Sequence, residues 1–218
     1  MIQTMLRAIT EKFHLNALDT GAYRTLKANG MTFKIWAFRA EGLGHVSAME
    51  ASGFFGLMKM DTLIINPTEV DMPLFSYDRV HAMGNDTLIF ELYDTLLGKA
   101  DLSAVAAVKA AAANLPDHDL GAHWYDSIKL SESLSKKGKK PQTPAFDKVT
   151  AEYLEAFLTA ARNAPDGTDA DAKREKASVY VEGLLTHGGP STDVFKKALG
   201  EEVTGDLFRR ILFGTRYM

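Results

Sequence analysis

A chain of 218 residues that is 46% hydrophobic and 10% aromatic has enough apolar surface for one folded domain over residues 1–218, which excludes global disorder. Its formal net charge of −3 offers no basic face for nucleic acid, and the absence of cysteine excludes disulfides and thiolate chemistry. Without a secretory signal pattern or an apolar run of the about 20 residues that cross a bilayer, we expect a cytoplasmic protein that acts as a monomer and does not contact membranes.

The first part of the chain is predicted to form a helix followed by a sheet. Apolar residues at helical spacing over residues 2–15 indicate a surface helix. A hairpin is predicted over residues 21–40, because Asn29-Gly30 at its centre tolerates the positive φ angles of a tight turn. Further strand-like segments bring the predicted sheet to six strands, and they cover residues 45–53, 57–66, 73–83 and 87–94. Their short connections favour antiparallel pairing.

Beyond residue 100 the pattern becomes helical. Helices are predicted over residues 102–114 and 146–162, then one that ends near residue 185 and two more before the C-terminus, separated by breaks at 166–169 and 187–190. The segment 117–145 has no clear period, and its basic cluster at 136–140 is predicted to be an exposed loop. Strands followed by helices, without βαβ alternation, predict an α+β fold in which helices pack on a mostly antiparallel sheet.

The acidic residues of the predicted strands are the main candidates for chemistry. Asp78 is the one charge on its face of the 73–83 strand, and an isolated buried carboxylate has to be paired, protonated or functional. If a tight turn at Asn85-Asp86 joins this strand to the next, Asp78 faces Tyr93, and Glu91 shares the same face. The other residues predicted on that face are Thr87 and Ile89, and Glu50 is predicted to join them from the third strand.

Two interpretations of this acidic face remain open. Two or three acids roofed by helices form a proton-donating pocket whose pKa values are raised by burial. Alternatively, the face is solvated and carries no chemistry. No phosphate-loop, GxSxG or HExxH pattern is present, and the six histidines are scattered along the chain, so no metal site is predicted.

Four stretches of the sequence, in this order, resemble the ferredoxin-dependent bilin reductases. MPLFSYDRV, followed by a glycine turn, resembles the central hairpin of the family, in which a proline-leucine-phenylalanine run precedes an aspartate. HVSAMEASGFFGLMKMDTLIINP resembles the glutamate-bearing strand and its neighbour. HWYDSIKLS resembles the segment around a pocket tryptophan, and STDVFKKALGEEVTGDLFRRILF resembles the C-terminal helices. The similarity covers about residues 20–98 and 118–214.

The resemblance implies a three-layer α/β/α sandwich that holds biliverdin, a linear tetrapyrrole, between the sheet and the C-terminal helices. It implies reduction to a phycobilin with electrons delivered singly by reduced ferredoxin, protons supplied by side chains, and no tightly bound cofactor or metal. Asp78 matches the central proton donor of the family, and Glu50 matches a second acid beside a vinyl group. The residues implied to contact the substrate are Phe75, Thr87, Trp124, Thr62 and Ile89.

Two departures from the family pattern leave the reaction open. The catalytic histidine of the family would fall near Thr62. Where members often carry a second aspartate or an asparagine before the penultimate helix, either His187 or Asp193 substitutes for it or the step is absent. The number of electrons transferred and the double bond reduced are therefore not fixed, and phycocyanobilin, phycoerythrobilin-type and dihydrobiliverdin-type products all remain open. So do a bilin carrier without reductase activity and a reductase of another open-chain tetrapyrrole. For ferredoxin, which is acidic, the basic candidates are the 136–140 cluster and Arg209, Arg210 and Arg216.

Overall fold

The computed structural model describes residues 1–165 and 167–216, with Pro190 described by its backbone alone. In these ranges one sheet of eight strands forms the centre of the protein, and every paired neighbour in it is antiparallel. Its strands are β1 (Leu15–Leu18), β2 (Thr25–Ala28), β3 (Met31–Ala40), β4 (Gly44–Gly53), β5 (Met58–Pro67), β6 (Leu74–Ala82), β7 (Asn85–Tyr93) and β8 (Leu134–Lys139). The spatial order is β1-β3-β4-β5-β6-β7-β8, and β2 also pairs with β3.

Helices cover both faces of the sheet. The first face carries α1 (Ile2–Thr10), α2 (Ser103–Ala111) and α3 (Thr143–Asn163). The second face carries α4 (Ala170–His187), α5 (Pro190–Leu199), α6 (Glu201–Asp206) and a π-helical turn, Leu207–Leu212. This arrangement confirms the predicted α+β fold, a three-layer α/β/α sandwich with an antiparallel sheet. No helix in the described ranges combines the length and the apolar character that crossing a bilayer requires.

Alternation along the strands divides the interior into two cores, because neighbouring side chains point to opposite faces. Towards the first face, Phe75 and Phe90 pack against the rings of Tyr153 and Phe157. Towards the second face, Met49, Ile64 and Leu74 belong to the core that includes Tyr180 and Phe208, among others. The second core is the one that surrounds the candidate site.

The hairpin predicted around Asn29-Gly30 is confirmed, since both residues have positive φ angles, 49° and 74°, between β2 and β3. The loop predicted at 136–140 is wrong for 136–139, which belong to the edge strand β8, whereas the predicted exposure holds for Lys137, Lys139 and Lys140. Lys136 is 5% exposed on the edge strand β8, where its amine binds Asp117 and the Leu115 carbonyl oxygen. Lysine is common on edge strands because its charge discourages pairing with other chains, so a basic run does not by itself indicate a loop.

The turn between β6 and β7 also differs from the prediction. It lies at Met83-Gly84, with φ angles of 51° and 74°, and not at Asn85-Asp86. Asp86 is instead buried on β7 in an ion pair with Arg79. Asp78 therefore pairs with Ile89 and not with Tyr93. The register shift is an even number of residues, so the same side chains still share the face of Asp78. Asp166, the first residue of the predicted break at 166–169, lies outside the described residues.

Candidate active site

A cleft of about 210 Å³ opens between the second face of the sheet and the helices that cover it. Strands β4 to β7 form its floor, helix α4 and the segment around the π-helical turn form its walls, and the loop 118–133 covers one side. The floor is apolar apart from a small group of polar residues: Thr62, Ser76, Asp78, Glu91 and Tyr93. A mostly apolar concave surface with a few convergent polar groups is typical of a small-molecule site.

Asp78 lies at the centre of this floor, on β6. Thr62 is its partner residue on β5, and the Thr62 hydroxyl donates a 2.5 Å hydrogen bond to Asp78 Oδ1. Burial among apolar neighbours raises the pKa of Asp78 from its usual 3.8 to about 6, against the opposing effect of the Thr62 bond, and the nearby charge of Glu91 adds to the rise. The Asp78 carboxyl is therefore protonated in part near neutral pH, as a proton donor has to be.

Glu91 and three tyrosines form a second polar group beside Asp78. Glu91 is the partner of Ser76 across β6 and β7, so it lies diagonally from Asp78 on the same face. The Tyr93 hydroxyl donates a 2.6 Å hydrogen bond to Glu91 Oε2, and the Tyr180 ring stacks on Tyr93 with centroids 4.3 Å apart. Burial raises the pKa values of Tyr93, Tyr180 and Tyr125, so their hydroxyls remain hydrogen-bond donors at neutral pH.

The loop 118–133 is attached to helix α4 through Trp124. The Trp124 indole nitrogen donates to the Gly188 carbonyl oxygen at 3.1 Å, and its ring packs on Tyr125 and Tyr180. A Cβ atom at Gly183 of α4 would lie only 2.1 Å from the Trp124 ring, so this contact requires glycine. Trp124 thereby holds its loop neighbours, which line the cleft, against the helix.

The wall after α6 is a π-helical turn whose terminal carbonyl groups are bound by side chains of the sheet. His45 Nε2 donates to the Ile211 carbonyl oxygen at 2.8 Å, and Ser47 and Asn66 donate to the next two carbonyl oxygens at 2.6 and 2.7 Å. Burial lowers the pKa of His45 to about 4, so the ring is neutral at pH 7 and Nε2 carries its hydrogen. These bonds fix Phe208, Leu212 and Phe213 along the cleft.

Three of the residues singled out from the sequence meet in this cleft. Asp78, Thr62 and Ile89 all line it, and Thr62 is bonded to Asp78. Thr87 lies on the same face, opposite Val80, but outside the lining. The structure therefore brings two of the predicted site residues, Asp78 and Thr62, into direct contact.

Two predicted residues face the other side of the sheet. The prediction that Glu50 shares the face of Asp78 is wrong: Glu50 pairs with Asp61, which pairs with Arg79, and alternation places all three on the first face. Met49 is the β4 residue that lines the cleft, as the partner of Thr62. Phe75 also points away from the cleft, into the aromatic cluster with Phe90 and Phe157, so its predicted contact with substrate is wrong as well.

The residues predicted near the end of α4 lie outside the cleft lining. His187 is exposed and its ring contacts Trp124, with centroids 5.4 Å apart. Trp124 is 38% exposed and lies behind Tyr125 and Tyr180, so it supports the lining and is not part of it. The Asp193 carboxylate lies close to Gly188 and does not line the cleft, whereas the intervening segment contributes Ser191 and Thr192.

Sequence reasoning missed several lining residues that come from outside the sheet. His123 and Tyr180 are two of them, and His123 Nδ1 is buried with no hydrogen-bond partner among the residues that the structure describes. They belong to an aperiodic loop and to a helix, and only the packing of those elements brings them to the cleft that contains Asp78. Among the described residues, no group of three or more histidine, aspartate and glutamate side chains is disposed to hold a metal ion.

The fold and the cleft together define an α/β/α sandwich with an acidic group beneath its C-terminal helices. No family model matches the chain, and no curated protein matches it. Among solved structures, the crystal structure of phytochromobilin synthase from tomato in complex with biliverdin is similar, with a TM-score of 0.78 and 14% sequence identity. The similarity covers 98% of this chain and 82% of that one. The chain thus has the fold of a ferredoxin-dependent bilin reductase, which supports the resemblance found in the sequence at the level of the fold.

Proposed function

We propose that the protein is an oxidoreductase that reduces biliverdin, or a closely related linear tetrapyrrole, to a phycobilin, with Asp78 as the proton donor. One observation carries the proposal: the Asp78 carboxyl lies at the floor of a largely apolar cleft with its pKa raised to about 6. A general acid is most effective when its pKa lies near the working pH. The biliverdin bound in the similar tomato structure indicates the substrate class.

The same site geometry suits electrons that arrive singly from reduced ferredoxin. A conjugated open-chain pigment can itself accept electrons, so the protein has to supply binding, orientation and protons and needs no tightly bound cofactor. The tyrosine and histidine groups around Asp78 supply hydrogen bonds to the nitrogen and oxygen atoms of such a ligand. Which double bond is reduced, and whether two or four electrons are transferred, depends on how the ligand lies across this floor.

The cleft has to widen when a tetrapyrrole binds. Its volume of about 210 Å³ is below the roughly 300–1,000 Å³ of typical ligand pockets. The loop 118–133 is the cover with the least regular structure, and it contributes Leu120, His123 and Tyr125 to the lining. We therefore expect this loop to move away from the sheet on binding while the floor keeps its geometry.

Ferredoxin binding requires basic surface close to the cleft. Arg209 forms a bidentate ion pair with Glu182, and Arg210 pairs with Asp206, so much of their charge is already compensated. Lys137 and Lys140, on and beside the edge strand β8, are exposed, and neither forms an ion pair within the described part of the chain. We propose the β8 edge as the docking surface for ferredoxin, because its charge is complementary to an acidic protein.

The proposal is tested by an anaerobic assay with biliverdin and reduced ferredoxin, followed by chromatography of the pigment. We expect the wild type to convert biliverdin, and the Asp78→Asn variant to bind the pigment but to lose turnover by at least about a hundredfold, as expected for removal of a general acid. Glu175→Gln, at an exposed position of α4, is the matched control and should retain activity.

The outcomes separate the alternatives. Binding of biliverdin by the wild type, seen as a spectral shift, without any product indicates a bilin carrier. Conversion of a different open-chain tetrapyrrole in a substrate panel indicates another reductase of the same kind. Full activity of Asp78→Asn would show that Asp78 is not the proton donor.

A further inference from the structure

We propose that Glu91 is a relay carboxyl that resupplies Asp78 with protons from water through a second opening at the β7–β8 edge of the sheet. This inference depends on the proposed function, because it concerns how the same reaction obtains its protons. Asp78 alone can give one proton, whereas reduction of a double bond by two electrons consumes two. A path from water to the floor of the cleft is therefore required.

Glu91 is placed between two cavities. On one side it lines the cleft that contains Asp78. On the other side it lines a cavity of about 230 Å³ under residues 118–121, whose lining includes Lys129, His118 and Ser135. No other ionisable residue lines both cavities in the part of the chain that the structure describes. The Glu91 carboxyl thus separates the reaction cleft from a second route to the surface.

The two oxygens of Glu91 have different environments. Oε2 accepts the hydrogen bond from Tyr93, while Oε1 is buried and, among the described residues, has an ion-pair contact with Lys129 but no hydrogen bond. The Lys129 amine lies 3.7 Å from Glu91 Oε1, and the Lys129 side chain is 25% exposed. A charged group in contact with water therefore lies next to Oε1. Glu91 as a whole is 9% exposed. An oxygen in such a place, compensated only by a long ion pair with Lys129, still has room to accept a proton or a water molecule.

The position of Glu91 relative to Asp78 is suitable for transfer. The two residues are diagonal neighbours on adjacent strands, with Cβ atoms somewhat less than about 8 Å apart, so a bridging water would carry the proton across the gap between their carboxyl groups. The ionisable groups that line the two cavities with Glu91 are Asp78, Tyr93, His123, Tyr125 and Tyr180 on the cleft side and His118, Asp119 and Lys129 on the other side.

The sequence of steps balances in protons and electrons. The pigment takes one electron from ferredoxin and one proton from Asp78, which leaves an Asp78 carboxylate. Glu91 passes a proton to Asp78 and regains one from water in the 230 Å³ cavity. A second electron and the restored Asp78 proton complete the reduction, so two electrons and two protons enter and no other reagent is needed.

The test compares Glu91→Gln and Glu91→Ala with the wild type and with Glu175→Gln under the anaerobic conditions described above. Glu91→Gln keeps the shape of the side chain but cannot relay a proton. We expect it to bind biliverdin with an unchanged absorption spectrum and to complete the first one-electron step at the wild-type rate. The second step is expected to slow by at least tenfold, so that the one-electron-reduced pigment accumulates and is seen by electron paramagnetic resonance.

Glu91→Ala is expected to show the same defect and to recover when formate is added, because the vacated space admits a small carboxylic acid that replaces the relay group. Formate should not rescue Glu91→Gln, whose side chain still fills the space. This difference distinguishes a proton relay from a structural role, because formate would not restore activity that was lost through a change of structure.

Three results would overturn the relay. Completion of the reaction by Glu91→Gln at the wild-type rate shows that protons arrive by another route. A changed absorption spectrum of bound biliverdin, or a slow first electron-transfer step, would show that Glu91 acts in binding. Failure of formate to restore the activity of Glu91→Ala would show that the side chain has a structural role. If the wild type itself does not reduce biliverdin, the proposed function fails and the relay fails with it, and that result is distinct from the others.

Discussion

Thr62 and Asp78 are cross-strand partners, and the hydroxyl of the first donates a 2.5 Å hydrogen bond to the carboxyl of the second. Two opposing effects set the pKa of Asp78: burial raises it, and the Thr62 hydrogen bond, which favours the ionised form, lowers it. Because burial has the larger effect, the pKa of Asp78 is raised to about 6. A substitution that changes either effect should therefore change the pKa of Asp78.

Thr62→Val should raise the pKa of Asp78 above about 6, because valine keeps the shape of threonine and removes the donor. The pH dependence of biliverdin reduction is the measurement, and its midpoint should move to higher pH. Thr87→Val, on the same face but outside the cleft lining, is the control and should leave the midpoint in place. An unchanged midpoint in Thr62→Val would show that the hydrogen bond does not tune the acid.

Asp78→Asn should make the protein more stable at neutral pH. The folded state holds the Asp78 proton more tightly than the unfolded chain, so this carboxyl reduces stability as the pH rises from about 4 to about 6. A pKa change from 3.8 to about 6 is equivalent to roughly 3 kcal/mol, as an upper limit because the side chain is only partly shielded from water. Urea unfolding at pH 4 and pH 7 should show a gain for the variant only at pH 7, and an equal gain at both would contradict the assignment.

His45 should have the opposite effect over an overlapping pH range. Its folded-state pKa of about 4 lies below its usual 6.5, so the unfolded chain binds the proton first and stability is lost as the pH falls from about 6.5 to about 4. His45→Gln should remove about 3 kcal/mol of this pH dependence, although it also weakens the bond to Ile211. Urea unfolding across this range is the measurement, with the exposed His14→Gln as control. A slope equal to that of the wild type would be evidence against a neutral buried ring.

Glu50→Gln should leave both pigment binding and reduction unchanged, since the side chain lies on the face of the sheet away from Asp78. Met49→Ala, one position earlier, should change the absorption spectrum of bound biliverdin because Met49 lines the cleft beside Thr62. The measurements are the absorption spectra of the two variants with biliverdin and their rates of biliverdin reduction. Loss of activity in Glu50→Gln alone would mean that the acid acts through the sheet.

The floor of the cleft was largely predictable from the sequence. The alternation of a strand has a period of two residues, so Asp78, Ile89 and Glu91 were grouped on one face although the turn was placed two residues too late. The same rule grouped Glu50 with its own strand neighbours but could not say which face of the sheet they occupy. That choice depends on the pairing of β4 with β5, in which Thr62 faces Met49 and Asp61 faces Glu50.

The cover of the cleft was not predictable, because tertiary packing determines it. Tyr180 has the helical spacing of an ordinary core residue, and His123 belongs to a loop without a period. Their positions depend on how Trp124 fits against α4 and on how the turn Leu207–Leu212 is bound to the sheet. The strand β8 was missed for a different reason, since its three lysines conceal the pattern of an edge strand.

Gly183 of α4 determines how closely Trp124 packs against the helix. With no side chain, it allows the Trp124 ring to lie directly on the helix backbone, where a methyl group would overlap it. A glycine inside a helix costs about 1 kcal/mol relative to alanine, and here that cost is offset by the close seating of the tryptophan. Replacement by alanine would lift the tryptophan and the loop that carries it. One methyl group at this position would therefore enlarge the entrance for a bulky pigment, while the acid on the opposite side kept its place and its strength.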